Sequence, residues 1–243
     1  MTKKILYTIV FCFSFSLIQA QIPSAEDLLK KTISFHDPDN LWYTSQINLT
    51  LRGEYASGLI VNTEVEMYMP SHNYVSRQER SERMLLSKII GDSCYHEVNG
   101  SADIRQEEKM RLKLTCKNTA RMRNYNIYLY GLPMKLMDES AILDPKVEEL
   151  ELKGKKYWVL RVSYSPEVGI DIWKFYINPE NYQMEAYQFY KNEEDKKGEM
   201  IFLKGLTKVG SMKLPKERTW YDWPQEKLLG TDIVVSGEVI PNP

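Results

Sequence analysis

The side chains best equipped for chemistry in this chain are few. It holds only three histidines, and one of them, His36, is followed directly by a carboxylate, Asp37. A His–Asp pair can act as a general base. Neighbours at a helix end rarely face each other, however, and no Gly-x-Ser-x-Gly elbow supplies a nucleophile. A helix-end role beside the C-terminal dipole accounts for both residues as well. A hydrolase using His36 therefore stands only as an alternative, and no residue is assigned to catalysis. His72 and His96 lack the spacing of zinc ligands, and Cys94 and Cys116 lie too far apart for a finger or ribbon. Neither a metal nor a cofactor is expected.

Two further groups carry chemical information. In an oxidising compartment Cys94 and Cys116 read as a disulfide that closes a loop of about 21 residues, worth roughly 3 kcal/mol in the chain-entropy picture. The competing reading is two buried thiols packed as small apolar groups. Lys109, Lys113, Lys117 and Arg121 recur every four residues. On one continuous helix they would form a basic stripe suited to lipid phosphates or an acidic partner. With Asp103, Glu107 and Glu108 upstream, a solvated face that follows the helix dipole is the plainer reading.

These groups have to be positioned by a folded chain, and its composition allows one. The 243 residues are 43% hydrophobic and 27% charged with a formal net charge of −1. That is globular composition, and it lacks the basic excess of a nucleic-acid binder. Lys3 and Lys4 precede an apolar run from Ile5 to Ile18 that ends in Gln19-Ala20, the order of a secretory signal peptide over residues 1–20. Cleavage after Ala20 would leave Gln21 first, and residues 21–243 form a single domain in this reading. The run is too short to span a bilayer, and no later run matches it, so no transmembrane segment is expected after cleavage. Cys12 is preceded by Phe11, too bulky for a lipoprotein cleavage site. The protein is expected to be exported, periplasmic or extracellular, and not a lipoprotein.

A helix begins at Ser24, which can cap with Asp27, and Asp37-Pro38-Asp39-Asn40 stops it. Alternation from Leu41 to Leu51 and from Leu59 to Met69 predicts amphipathic strands. Shorter strands follow up to Val98, and others run from Val147 to Ile240, with Asn178-Pro179-Glu180-Asn181 as a hairpin turn. Between the two groups, Asp103 to Tyr130 is rich in helix formers. Thr115, Asn118 and Thr119 divide it into two helices, because short polar side chains favour caps. Some strands are apolar on both faces: Trp173, Phe175 and Ile177 point one way, Ile170, Ile172 and Tyr176 the other. Either helices cover one face and a curved sheet covers the other, or one face lines a cavity.

The blocks HDPDNLW (36–42), YLYGLPMKL (128–136), GIDIWKFYINPENY (169–182), KGEMIFLKG (197–205) and KLPKERTWYDWPQEKLLGTDI (213–233) resemble those of an uncharacterised family of exported Bacteroidota proteins. The resemblance implies a fold similar to the lipoprotein carriers LolA and LolB. That is a mainly β fold with helices: a curved antiparallel half-barrel, with an N-terminal helix and a central helical insertion over its concave side. It carries no catalytic residue across. The function read from this is non-enzymatic binding of an apolar ligand, a lipid or the acyl chain of a lipoprotein or acylated peptide. The alternative is an envelope sensor or scaffold with a filled barrel whose partner is another envelope protein. The residues expected to line the hollow or close it are Tyr128, Leu129, Leu132, Met134, Trp173 and Phe175.

Overall fold

The computed structural model describes residues 22–80, 82–194 and 196–241. The segment read as a signal peptide lies outside them. Helix α1 (Ala25–His36) begins where Ser24 Oγ accepts the Asp27 N–H, so the cap sits at the position its sequence indicates. A short second helix, α2 (Leu41–Thr44), replaces the first turns of the strand expected from Leu41. The reason lies upstream: both carboxylate oxygens of Asp37 accept backbone N–H groups there, from Leu41 at 2.8 Å and Trp42 at 2.9 Å. A carboxylate that caps two orphan donors outweighs four residues of β pattern.

Five strands then meander outward: β1 (Ser45–Tyr55), β2 (Ile60–Tyr68), β3 (Asn73–Arg80), β4 (Arg83–Ile90) and β5 (Ser93–Val98). Helices α3 (Gln106–Arg111) and α4 (Cys116–Tyr130) and a 3-10 turn (Met134–Met137) follow. The chain returns through β6 (Ala141–Leu143), β7 (Glu148–Leu152), β8 (Lys155–Tyr164), β9 (Ile172–Ile177) and β10 (Met184–Tyr190). The long strands β11 (Gly198–Val209), β12 (Met212–Trp223) and β13 (Lys227–Pro241) complete it.

All pairings are antiparallel, in the order β5-β4-β3-β2-β1-β13-β12-β11-β10-β9-β8-β6, with β7 also on β8. The last strand therefore pairs with the first, and β5 and β6 remain as edges of an unclosed sheet. Its curvature follows from what α4 touches. Thr119 meets His96 on β5 at 2.9 Å, while the rings of Tyr128 and Trp173 on β9 lie 5.4 Å apart. Those two α4 residues are only about 14 Å apart along the helix. A flat sheet would separate β5 from β9 by roughly 43 Å. The sheet must therefore curl around α4, and the helical segment occupies its concave side.

The main core lies between that face and the helices, and includes Leu28, Trp42, Ile47, Met67, Leu132 and Phe175. Phe175 and Ile177 belong to it, and Trp173 packs against it. On the convex face a smaller cluster forms around Tyr157, Val159, Tyr176, Ala186 and Met200, with the Lys153 ammonium 4.7 Å from the ring centre of Phe202. Tyr176 thus points outward as its parity requires. Ile170 does not join it, since it precedes β9 and is exposed.

Candidate functional site

The His36–Asp37 pair is committed elsewhere. His36 is fully buried, its Nε2 accepts the Met184 N–H at 3.1 Å, and its Nδ1 therefore carries the proton donated to the Lys213 carbonyl at 2.6 Å. Burial lowers its pKa to about 4, against a smaller opposing effect of the Lys213 carbonyl. With both nitrogens on backbone groups and Asp37 capping α2, this imidazole pins α1 to β12 and has no free atom for base catalysis. The alternative of a hydrolase using His36 loses its geometric basis. Among the described residues no group of His, Cys, Asp and Glu is arranged to hold a metal ion.

Cys94 on β5 and Cys116 at the start of α4 form a disulfide, with Cα atoms 5.7 Å apart. It fastens the helical segment to one sheet edge. The expected basic stripe is broken. Helix α3 stops at Arg111, Lys113 adopts a left-handed φ of 56°, and α4 restarts where Thr115 Oγ1 accepts the Asn118 N–H. Lys109 therefore sits on one helix, Lys113 in the connection, and Lys117 and Arg121 on the other. Arg121 is held by Asn118 Oδ1 at 3.1 Å. The division at Thr115 is the one its capping chemistry predicts.

The six residues expected to line the hollow or close it come together, but in packed core. Leu129, Leu132, Met134 and Phe175 are buried in the main cluster, and Tyr128 and Trp173 pack against it. The Tyr128 and Tyr164 hydroxyls meet at 2.5 Å, and the Trp173 ring stacks on Phe189 at 4.6 Å. Gly131 completes the seam, for a Cβ there would stand 2.6 Å from the Trp42 indole. As covering residues they lie where the helical segment meets the sheet. None of them lines the cavity of the other half.

The open space is in the other half. A cavity of about 310 Å³ lies between β1–β4 and the helical cover, and reaches β11–β13. Its apolar wall includes Leu51, Val61, Leu85, Leu114 and Met122. Thr63, Ser76, Gln78 and Ser87 line it too. Tyr74 and Asn126 join across it, the amide donating to the phenol oxygen at 2.7 Å. The sequence carried a signal for this: Thr63, Gln78 and Leu85, and Ser76 and Ser87, are cross-strand partners on the face that buries Leu49 and Leu51. Small polar residues on a buried parity mark space that the sheet leaves unfilled.

Beside the cavity sits Arg218, 1% exposed, with Nη1 donating to the Pro215 carbonyl at 2.9 Å and the guanidinium 4.6 Å from the Tyr130 ring centre. Its Nε and Nη2, and the Tyr187 hydroxyl, have no hydrogen-bond partner among the described residues. Opposite it in register is Asp232, whose Oδ2 accepts Trp220 Nε1–H at 2.8 Å. Burial raises the Asp232 pKa despite the opposing effects of Arg218 and Trp220. Among the described residues no helix is long and apolar enough to cross a membrane.

Two solved structures share this architecture. A LolA superfamily protein from Nitrosomonas europaea is similar with a TM-score of 0.54 at 13% identity, over 91% of this chain and 96% of that one. A structure titled as a "putative outer membrane lipoprotein-sorting protein domain from Vibrio parahaemolyticus" is similar with a TM-score of 0.50 at 9% identity, over 88% of this chain and 93% of its own. At such identities the likeness is one of fold. No curated protein matches the chain. A family model matches residues 3–237, nearly the whole sequence, and the chain belongs to that family, a family of unknown function designated DUF6503.

Proposed function

We propose that this protein is an exported, non-enzymatic binding protein that shelters an apolar ligand, a lipid or the acyl chain of a peptide or lipoprotein, in the hollow of its half-barrel. The observation that carries this reading is the cavity of about 310 Å³ under α4 and the connection that precedes it. It lies at the lower end of the size range of small-molecule sites, and its wall is apolar where Leu85, Leu114 and Met122 meet. The structural neighbours add support, since one of them is titled for lipoprotein sorting.

Native mass spectrometry of the protein isolated from its own envelope tests this. A lipid or acyl adduct that disappears on denaturation is expected, and Leu85→Trp, which fills the cavity, should reduce its occupancy at least several-fold. A folded protein that carries no adduct and takes up no fatty acid or lysolipid on reconstitution would refute it. A second reading, a scaffold that binds an envelope protein, draws on the exposed Tyr55, Ile60 and Leu228 at one end of the sheet. In that case the co-purifying mass would be a polypeptide.

A further inference from the structure

The cavity changes character along its length. At the β4 end Leu85, Leu112, Leu114 and Met122 supply an aliphatic part of the wall beside the uncharged Gln78 and Ser87, and Lys113 stands in the connection above. At the β11–β13 end the lining becomes Tyr55, Tyr125, Tyr130 and Trp220 together with three carboxylates, Asp232, Glu199 and Glu54, the last of them paired with Arg52 at 2.7 Å. Strand order puts β4 and β13 on opposite flanks of β3-β2-β1, roughly 19 Å apart measured along the curved sheet. One end suits a hydrocarbon. The other suits a polar head.

With Glu54 paired to Arg52, two carboxylates at that end, Asp232 and Glu199, stand against the single buried guanidinium of Arg218 beside them. Trp220 is the hydrogen-bond partner of Asp232 among the described residues, through Oδ2. Oδ1 lies 3.6 Å from the place a Cβ would take at Gly53, whose missing side chain leaves room beside the Tyr55 ring. Arg218 faces Asp232 in register, but its guanidinium is turned to Pro215 and Tyr130 and forms no ion pair with it among the described residues. Burial raises the pKa of Asp232 and outweighs the opposing effects of Arg218 and Trp220, and burial followed by the Asp222 charge raises that of Glu199. An anionic ligand head would add to this repulsion, whereas a cation would relieve it. Aromatic faces favour a cation as well, through their quadrupoles.

We propose that this end of the cavity recognises a cationic nitrogen, a primary or quaternary ammonium carried on an apolar chain, with Asp232 as counter-ion and Tyr55, Tyr125, Tyr130 and Trp220 as its aromatic wall. The inference rests on the apolar-ligand reading above and adds the charge of the head group. A test uses the full chain and four amphiphiles of one chain length, each below its micellar concentration: decyltrimethylammonium, decylamine, decanol and decanoate, titrated by calorimetry. At least one of the two cations should bind about tenfold more tightly than decanol, which corresponds to about 1.4 kcal/mol, and decanoate should bind more weakly than decanol. Preference for the quaternary head assigns the larger share to the aromatic wall, and preference for the primary amine to Asp232. Asp232→Asn keeps an acceptor for Trp220 and should bring cation and decanol within about twofold of each other. If that variant melts well below the parent protein, Glu199→Gln and Tyr125→Leu take its place, and each should narrow the gap to about threefold. Decanol bound as tightly as both cations, or decanoate preferred, overturns this inference and leaves the apolar-ligand reading standing. Binding of none of the four overturns both.

Discussion

On β8–β10 the concave face carries Trp158, Leu160, Phe175, Trp173 and Tyr187, whereas the matching face of β2–β4 carries Thr63, Ser76, Gln78, Leu85 and Ser87 around the cavity beside the buried Val65, Met67 and Tyr74. The backbones are alike, antiparallel strands of similar length in one sheet. The aromatic half packs solid against the end of α4, and its rings adjoin in a chain from Tyr128, edge-on to Trp173, to Phe175, stacked on Trp173, and Tyr187. The other half keeps a cavity because serine, threonine and glutamine do not reach the helix that covers them. The hollow of this half-barrel is thus set by side-chain volume on one parity of three strands, and the fold supplies only the curvature.

The sharpest way to break that comparison is to cut an equivalent volume from each half. Leu160→Ala, in the packed half where Leu160 is 0% exposed, should cost about 4 kcal/mol, because it leaves a new void. Leu85→Ala, beside space that already exists, should cost about 2 kcal/mol, the low end for a buried leucine. Urea midpoints at constant m decide it, and equal losses would mean that the hollow half is as tightly packed as the filled one. Next in size is the disulfide, which holds the cover over the hollow half only. Replacing both Cys94 and Cys116 by serine should cost about 3 kcal/mol, for a sequence separation of 22. Hydrogen exchange should then accelerate in α3 and the start of α4 and not in β8–β10.

A pH effect belongs to the filled half, through His36. In the unfolded chain its imidazole takes up a proton below about pH 6.5, while in the folded protein it stays neutral down to about pH 4. Between these values the unfolded state binds more protons, so stability falls as the pH is lowered. The loss should reach about 2 kcal/mol at pH 5, and it should be absent in His36→Gln. Unfolding curves at pH 7 and pH 5 measure this. Undiminished pH dependence in the variant would place its origin elsewhere. His96, whose pKa burial also lowers, shifts in the same direction in both proteins. The smallest expected effect is Ser87→Val, which adds an apolar group to the cavity wall. Thermal melting should move by no more than about 0.5 kcal/mol equivalent, because no neighbour has to shift. A clearly destabilised variant would show that the space at Ser87 is filled.

Local chemistry determined much of this protein from its sequence. The Ser24 cap, the division of the helical segment at Thr115, the Asn178–Asn181 turn and the parity of most strands depend on residues within a few positions of one another. Their physics survives without a fold. Strand β6 is only three residues long and is defined by its partner Val162–Tyr164 on β8, so alternation could not reveal it. The helix at Leu41–Thr44 needed the Asp37 carboxylate folded back upon it, and the lysine stripe failed once Lys113 left the helical region. His36 was visible as a titratable group, but its role came from Lys213 and Met184, residues far along the chain. The tertiary structure alone also decided which apolar residues would fill the core and which would border space. Leu160 and Phe175 are as apolar in sequence as Leu85 and Met122, and only the curl of the sheet seats the first pair in packed core and leaves the second facing a gap. Cavities are properties of distances between chain segments, and periodicity within a segment does not encode them.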